Sequence, residues 1–306
     1  MSGPVDTPAT PGGAAPEPPV AEVVDARVAD VGGMQVRRSL PRARRRTVGA
    51  WCFVDHFGPL AVDADGGLDI GPHPHTGLST VTYLLDGQVL HRDSLGSEQV
   101  IRPGQLNLMT AGRGVSHAEE PTGRYAGTMH GVQLWVAQPS ATRDGEPAFE
   151  HHASLPEVAV DGADVTLLVG ALGDTVSGAR RDSDLMGAAV DLGPDGAVLP
   201  LVPAYEHLVV VLDGVLLLED GRAVQPGQSA YVGARRDELE LNADGRARVL
   251  LVGGVPFEEQ IVMWWNFVGR TREEVASYAA AWGAADERFG TVDTRLARIP
   301  APAVPG

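Results

Sequence analysis

Short apolar or alternating runs follow one another from about Val20 to Val255, and Gly, Pro and Asp residues separate them at close intervals. Examples are STVTYLL and GVQLWVA in the first half of the chain and EHLVVVL and ARVLLVGG in the second half. Runs of this length between such turn residues are typical of all-β sandwiches and barrels. A clear helical pattern comes only at Thr271 to Trp282, where Thr271 and Glu274 have the spacing of a capping box. The sequence therefore predicts an all-β fold with a short C-terminal helix.

The two halves of this β-rich region repeat one arrangement. Tyr83 to Gly112 reads as a strand, an Asp-Gly turn, a strand and then Pro-Gly-Gln before a further strand, and Val210 to Ala234 repeats this order. An Asp-Gly pair between apolar runs favours a two-residue hairpin, because both central positions of such a turn prefer a positive φ. The repeat predicts two similar β-barrels in tandem. We expect residues 21–155 to form the first barrel and residues 156–306 to form the second barrel with the helix.

The N-terminal residues, the length of the apolar runs and the single cysteine indicate the cellular location of the protein. The first 20 residues are rich in Pro, Ala and Gly and contain no charged segment followed by an apolar core, which argues against a signal peptide. We expect residues 1–20 to be a disordered tail. No apolar run approaches the roughly 18 residues of a membrane span. Cys52 is the only cysteine, so no intrachain disulfide can form. These features predict a soluble, cytoplasmic protein with no membrane partner.

The charge of the chain bears on its partners. The formal net charge is −16, and the chain contains no lysine. Such a surface repels phosphate backbones and anionic membranes. The one basic cluster is PRARRR, Pro41 to Arg46, which we interpret as an exposed loop rather than a nucleic-acid site. We therefore expect no direct nucleic-acid partner.

Two pairs of ligating residues occur in the first half. His73 and His75 form one pair, His117 and Glu119 form the other, and one residue separates the members of each pair. Alternate side chains of a strand project from the same face, so each pair can point into a barrel. Three imidazoles and one carboxylate suit a first-row divalent metal, particularly Fe(II), with Mn, Ni, Cu, Co or Zn as alternatives. Four protein ligands leave open positions for substrate or dioxygen if the metal is five- or six-coordinate.

Each pair has a simpler interpretation when it is taken alone. A histidine pair at the mouth of a strand is more often hydrogen-bonded or solvated than metal-binding. The H-x-E pair that follows, after the predicted hairpin and a Pro-Gly turn, changes that balance in favour of a metal site. Glu120 is the alternative to Glu119 as the carboxylate ligand. The alternation of side chains along a strand, however, points Glu120 away from His117.

These motifs resemble those of the cupin superfamily. Several longer segments of the sequence are similar to segments of the pirin family. The resemblance is carried by the segments VGAWCFVDHFGP, GPHPHTGLSTVTYLLDG, HRDSLG, IRPGQLNLMTAGRGVSHAE, GVQLWVA and MWWNFVGRTREE. It implies two tandem cupin barrels of the jelly-roll type, with one metal, usually iron, in the first. It also implies that the metal ligands are His73, His75, His117 and Glu119.

The second half of the chain lacks equivalent ligands. Pro200 and Val202 occupy the positions that match His73 and His75. His207 stands alone in an apolar run, and we interpret it as structural. The pirin resemblance implies the same difference, since the second cupin of that family binds no metal. We expect one metal site per chain.

The other histidines have less specific interpretations. His91 follows the predicted hairpin and either faces the pocket as a hydrogen-bond donor beside the metal ligands or has a structural role at a strand edge. His56 and His130 are predicted to pack or to form hydrogen bonds. His151 and His152 fall in the predicted linker between the barrels, where we expect them to be solvated.

The pirin resemblance also implies an activity, quercetin 2,3-dioxygenase, with a flavonol-like aromatic compound and O2 as substrates. In that reaction a divalent metal binds the 3-hydroxyl as its alkoxide, and Glu119 takes the proton as the catalytic base. The first alternative is an iron-containing regulatory protein that binds a transcription factor or a metabolic enzyme, with the metal as a redox sensor. The second alternative is a bicupin whose metal only stabilises the fold. Steady-state turnover distinguishes the enzyme from both alternatives.

Overall fold

The computed structural model describes residues 21–303, and it confirms the all-β class and the short C-terminal helix. The strands of the first half are β1 (Glu22–Asp25), β2 (Arg27–Val31), β3 (Met34–Leu40), β4 (Trp51–Val62), β5 (Ile70–His75), β6 (Leu78–Asp86), β7 (Val89–Asp93), β8 (Glu98–Ile101), β9 (Leu106–Thr110), β10 (Val115–Glu120), β11 (Gly127–Ala137) and β12 (Ala148–His152). The second half contains β13 (Glu157–Val160), β14 (Ala163–Val169), β15 (Ala171–Leu172), β16 (Thr175–Val176), β17 (Leu185–Leu192), β18 (Ala197–Pro200), β19 (Glu206–Leu217), β20 (Ala223–Val224), β21 (Gln228–Gly233), β22 (Glu238–Gly254), β23 (Val262–Trp264), β24 (Phe267–Gly269), helix α1 (Arg272–Gly283) and a 3₁₀ helix (Glu287–Phe289). The tail predicted for residues 1–20 lies outside the described residues.

The first barrel consists of two sheets that pack face to face. The larger sheet has the strand order β12-β9-β6-β11-β4-β3-β2, and the smaller sheet has the order β5-β10-β7-β8. Apolar side chains from both sheets meet between them, such as Phe57 and Leu84 from the larger sheet and Val89 from the smaller. The smaller sheet carries both pairs of predicted metal ligands, on β5 and on β10.

The Asp86-Gly87 turn does not close a hairpin, so this part of the prediction was wrong. Strand β6 pairs with β11 and β9 in the larger sheet, whereas β7 pairs with β10 and β8 in the smaller sheet. Gly87 has a φ of 103° and carries the chain from one sheet to the other. L side chains rarely adopt this φ, and a Cβ here would also lie 3.2 Å from Thr128 O, so the crossover favours glycine. The matching pair, Asp213 and Gly214, lies inside the continuous strand β19, where the register against β22 shifts.

The second barrel is built on the sheet β1-β21-β19-β22-β17-β14-β13, beside which β18 pairs with β22 and β20 pairs with β19. Its core is apolar and includes Val209, Val211, Val249 and Leu251. Strand β1 comes from the start of the chain but belongs to this barrel, because it pairs with β21. The two tandem β-barrels are therefore confirmed. The predicted boundary between residues 155 and 156 falls between β12 and β13 and stays a prediction.

A separate apolar cluster joins the two barrels. Outward-facing residues of the larger sheet, such as Val54, pack there against residues of the second barrel, such as Leu250. Trp51 is fully buried in this cluster. Its indole N–H donates to the carbonyl oxygens of Met186 at 3.0 Å and Gly253 at 3.2 Å. One aromatic side chain of the first barrel thus reaches the backbone of the second.

The C-terminal segment leaves the second barrel and packs on the first. Helix α1 begins after Thr271, whose side chain accepts a hydrogen bond from Glu274 N at 3.2 Å, so the predicted cap is confirmed. Behind the smaller sheet, Ser116 Oγ donates to Phe289 O at 2.7 Å. Neither helix in residues 21–303 is long and apolar enough to cross a membrane.

Candidate metal centre

Strands β5 and β10 bring three imidazoles to one point. His73 and His117 are partners in the ladder between these strands. One ring nitrogen from each of His73, His75 and His117 lies within 4.8 Å of the other two. The Nε2 atoms of His75 and His117 are 3.1 Å apart. All three side chains are buried, so any ion held between them would be shielded from bulk water.

The Nδ1 atoms of two of these imidazoles face backbone carbonyls. His73 Nδ1 lies 3.0 Å from Gly71 O, and His75 Nδ1 lies 3.1 Å from Asn266 O, which follows strand β23 far along the chain. A carbonyl oxygen only accepts hydrogen bonds, so each Nδ1 carries the ring proton. The Nε2 atom of each ring therefore keeps a free lone pair.

His91 and Asp93 orient the third imidazole. His91 Nε2 is 3.1 Å from Asp93 Oδ2, and His91 Nδ1 is 3.4 Å from His117 Nδ1. Because the carboxylate accepts, His91 carries its proton on Nε2, and its Nδ1 accepts from the Nδ1–H of His117. Burial opposes ionisation of Asp93, but hydrogen bonds from His91 and Ser97 outweigh it and lower the pKa of Asp93. His117 Nε2 thus supplies the third lone pair.

His91 was one of the open cases in the sequence, and Asp93 was missed. The structure places His91 against His117, inside the barrel, although it accepts rather than donates in that contact. The spacing of His91 and Asp93 in HRD repeats the one-residue separation of both ligand pairs. That spacing was the available signal, because it puts both side chains on one face of β7.

The electrostatics of the cluster suit a cation. Burial lowers the pKa of His73 to about 4, and burial with neighbouring imidazoles lowers the pKa values of His75 and His117 well below their usual range. The three rings are therefore neutral at pH 7, which is the form that binds metals. Nitrogen lone pairs that face one another repel unless a positive charge lies between them. The donor set fits a divalent metal ion.

Glu119 lies in the same interior, but its carboxylate is not part of the 4.8 Å group. The ladder between β10 and β5 shifts its register between His117 and Glu119. Glu119 Oε1 lies 3.4 Å from Gln133 Nε2 on the opposite sheet. Burial raises the pKa of Glu119 to about 7. A nearby cation would favour the ionised carboxylate, so Glu119 is suited both to ligate a metal and to hold a proton.

Glu120 faces the C-terminal segment. Its Oε1 accepts a hydrogen bond from Thr294 Oγ1 at 2.5 Å, and Arg92 Nε lies 3.6 Å from the same atom. These contacts agree with the predicted alternation, which directs Glu120 away from His117.

A row of polar side chains crosses the larger sheet opposite Glu119. Neighbouring positions on β9, β6, β11 and β4 carry Asn107, Thr82, Gln133 and Asp55. Thr82 Oγ1 donates to Gln133 Oε1 at 2.7 Å, so the amide nitrogen of Gln133 is directed toward Glu119. The sequence reasoning missed this row. Its signal is a polar residue at an inward position in each of four largely apolar strands.

Aromatic rings border the imidazoles. Phe53 and Trp135 stack with their ring centroids 4.0 Å apart, and Trp135 meets His75 edge-on at 5.1 Å. On the other side, Phe149 stacks on His91 at 4.4 Å. Flat apolar walls beside a few polar groups are typical of sites that bind small aromatic compounds.

The remaining histidines of the first half lie outside this cluster. His56 Nε2 and His130 Nε2 are 2.8 Å apart, so the predicted hydrogen bonding is confirmed. His151 and His152 lie on strand β12 rather than in a solvated linker, which corrects the prediction. The reason is that β12 adds to the edge of the larger sheet, where His151 Nδ1 lies 2.8 Å from Asn107 Oδ1.

The second barrel has a different interior. Pro200 ends strand β18 and is exposed, and Val202 follows it with 45% of its surface exposed. His207 is fully buried, and burial lowers its pKa to about 4. Within residues 21–303, the group of three closely spaced metal-ligating side chains is the one in the first barrel.

Two jelly-roll barrels, of which the first holds a buried histidine cluster, define a bicupin. The Pirin family model matches residues 33–136, and the model for the Pirin C-terminal cupin domain matches residues 189–290. The chain belongs to the pirin family.

Relatives and solved structures agree with this assignment. A protein of Pseudomonas aeruginosa, provisionally named a quercetin 2,3-dioxygenase, is 47% identical over 289 residues, which cover 92% of this chain and 90% of that protein. A pirin-like protein of Caulobacter vibrioides is 35% identical and covers 89% of this chain and 96% of its own length. The crystal structure of a quercetin 2,3-dioxygenase from Acinetobacter baumannii superposes with a TM-score of 0.88 at 40% identity, over 93% of this chain and 96% of that one.

Proposed function

We propose that this chain is a metal-dependent dioxygenase that opens the central ring of quercetin-type flavonols with O2. The observation that carries the proposal is the convergence of three imidazoles in the first barrel, beside the buried carboxylate of Glu119. The names of the Pseudomonas and Acinetobacter proteins support the choice of reaction. Cys52 is a buried free thiol, which agrees with the reducing cytoplasm that we propose as its location.

The metal ligands in this proposal are His73, His75, His117 and Glu119. The metal is Fe(II) in the first instance, with Mn, Ni, Cu, Co or Zn as alternatives, because nitrogen and carboxylate ligands suit all of these ions. When bound, the metal would supply a Lewis acid that favours the deprotonated 3-hydroxyl group of the flavonol. The three rings are held in the ligating tautomer because their Nδ1–H groups donate to Gly71 O, Asn266 O and His91 Nδ1.

Glu119 is the proposed catalytic base. Burial alone raises the pKa of Glu119 to about 7, and a bound divalent cation would lower it, so the carboxylate is ionised at neutral pH and can accept a proton. It accepts the proton of the 3-hydroxyl, while the contact from Gln133 to Oε1 orients the carboxylate. The overall reaction adds O2 to the flavonol and releases carbon monoxide, with no net change in protons. Glu119 therefore returns its proton to the product acid.

The surrounding side chains would position the flavonol. Trp135 and Phe53 offer a flat apolar wall next to His75, against which the planar rings can pack. The polar row that includes Thr82, Gln133 and Asn107 offers hydrogen-bond partners for the ring hydroxyls. Asn107 Nδ2 is buried and has no hydrogen-bond partner within residues 21–303, so a substrate hydroxyl there would satisfy it.

The test combines elemental analysis with an anaerobic flavonol titration followed by admission of air. We expect about one metal per chain, a red-shifted flavonol spectrum without O2, and bleaching with release of carbon monoxide once air enters. His75→Ala should lose both metal and turnover. If this variant loses its metal but still turns over quercetin, the proposal fails. A spectral change without bleaching would instead favour the regulatory alternative.

A further inference from the structure

The arginine loop, Pro41–Arg46, borders a cavity of about 400 Å³ at the junction of the two barrels. Residues of β2, the end of β3 and the loop line this junction cavity from the first barrel. Residues of the second barrel's sheet line it as well, on β1, on β19 with Leu208 and on β21 with Tyr231. The volume falls within the range of about 300–1,000 Å³ that is usual for small-molecule sites. The arginine loop therefore forms part of a cavity that is large enough for a small molecule.

The junction cavity concentrates positive charge on an acidic protein. Its walls include four arginines, Arg27, Arg42, Arg44 and Arg45, against a single carboxylate, Glu22. The chain as a whole has a net charge of −16. Arg27 and Arg44 are exposed, and neither forms a hydrogen bond or ion pair within residues 21–303. Two guanidinium groups are thus available to an incoming anion.

The other two arginines are held in place. The Arg45 guanidinium lies 3.2 Å from the centroid of the Tyr231 ring and donates to Glu22 Oε2 at 3.1 Å. Arg42 donates to the backbone carbonyl of Asp25. These contacts fasten the arginine loop to strand β1 and to the second barrel, so the rim of the cavity is ordered before a ligand arrives.

The lining also contains apolar and hydroxyl groups. Leu40 and Leu208 are buried at the cavity wall, and the buried residues Ser39 and Ser229 line it as well. Guanidinium groups match the geometry of phosphate and carboxylate oxygens. Four guanidinium groups against one carboxylate are balanced better by the multiple charges of a pyrophosphate than by a single carboxylate. The apolar wall adds room for an organic group.

We propose that the junction cavity binds a small organic pyrophosphate, such as a nucleoside diphosphate, with Arg27 and Arg44 as its free phosphate contacts. The site is separate from the metal centre and does not depend on the dioxygenase activity. A ligand there contacts both barrels, so it stabilises the folded chain as a whole.

Isothermal titration calorimetry on the full chain tests this site with four probes, which are ADP, inorganic pyrophosphate, inorganic phosphate and adenosine. We expect ADP and pyrophosphate to bind, phosphate to bind more weakly and adenosine not to bind. Binding should weaken as salt is added, because the contacts are charged. Equal binding of adenosine and ADP, or no heat from ADP and pyrophosphate at millimolar concentration, would overturn the proposal.

The double variant Arg27→Ala/Arg44→Ala assigns the site. Loss of two charge-assisted contacts should weaken ADP binding by roughly tenfold or more. Arg124→Ala is the matched control, since Arg124 is exposed and lies outside the cavity lining. His75→Ala should bind ADP as the unmodified chain does, which separates this site from phosphate bound at the metal. Unchanged affinity in the double variant, or loss of binding in His75→Ala, would refute the assignment.

Discussion

The two barrels of this chain have similar strand arrangements but different interiors. The first barrel places His73, His75, His117 and Glu119 on its smaller sheet and a polar row on its larger sheet. In the second barrel, the inward positions of β19 carry residues such as Val209 and Val211, which belong to an apolar core. The comparison teaches that the cupin scaffold permits a metal site without creating one. A few inward residues decide the chemistry.

The two barrels also differ in how their buried imidazoles are packed. In the second barrel, Gly253 leaves space for the buried ring of His207, since a Cβ on Gly253 would lie 2.4 Å from His207 Cδ2. The imidazole there fills a packed core. In the first barrel, the imidazoles face one another and the polar row instead. The same residue type therefore serves packing in one barrel and forms a ligand cluster in the other.

The largest expected effect comes from removing one imidazole in each barrel. His75→Ala should reduce the metal content from about one per chain to a small fraction, because the two remaining imidazoles no longer form a complete ligand set. His207→Ala should keep the metal. Inductively coupled plasma mass spectrometry of both purified variants measures this. Equal metal contents in the two variants would remove the distinction between the barrels.

Trp51→Ala tests the contact that joins the barrels. Removal of a fully buried tryptophan should lower the free energy of unfolding by about 3–5 kcal/mol, and the loss of its two hydrogen bonds to the second barrel should separate the barrels' thermal transitions. Differential scanning calorimetry and urea unfolding report both effects. Trp264→Ala, at a half-buried ring on β23, is the control and should cost less. A similar loss in both variants would contradict the assigned role of Trp51.

Asp93→Asn tests the orientation of His117 through His91. The amide no longer supplies the carboxylate that fixes the tautomer of His91, so metal affinity should fall by about 10–100-fold. Competition with a chelator of known affinity at pH 7 gives the value. Glu120→Gln alters a buried carboxylate on the same sheet that faces away from His117, and it should leave the affinity unchanged. An equal fall in both variants would indicate a general loss of structure.

The pH dependence due to His207 concerns stability alone and changes no ligand of the metal centre. Burial keeps this residue neutral in the folded state down to a pH of about 4, because its pKa falls to about 4 from 6.5. In the unfolded chain it takes up a proton as the pH falls below 6.5. The unfolded state then binds more protons, so the free energy of unfolding falls by about 1.4 kcal/mol per pH unit for one such group.

His207→Leu should remove this contribution between pH 6.5 and about 4. Urea unfolding of the variant and the unmodified chain at pH 5 and pH 7 gives the two slopes. His56, whose pKa burial lowers to about 3, remains in the first barrel, so some acid sensitivity persists. Identical slopes in the two proteins would show that His207 does not contribute.

Much of the fold followed from local patterns. The alternation of apolar residues identified strands such as β6 and β19, and the Thr271 cap identified the start of helix α1. The pairing of the strands did not follow. The Asp86-Gly87 pair has the composition of a hairpin turn, but in this fold it connects opposite sheets, and only the long-range packing decides between these outcomes.

The candidate site shows the same limit. The spacing within β5 and β10 pointed His73, His75 and His117 inward, and the structure brings their rings together. Gln133 and Asn266 could not be found in this way. Each meets the site across the barrel or from a distant segment, with Asn266 separated from His75 by 191 positions in the sequence. Contacts of that range depend on how the sheets and the C-terminal segment pack, which periodicity does not encode.

The contact between Asn266 and His75 also bears on how the protein matures during synthesis. Because the carbonyl of Asn266 fixes the His75 ring, the ligating geometry cannot be complete until residue 266 has been synthesised and packed against the first barrel. Strand β1 likewise cannot pair until β21 has been synthesised. A fragment that ends after the first barrel would therefore carry every proposed ligand and yet bind metal weakly. Metal loading would then follow the docking of the C-terminal segment rather than precede it.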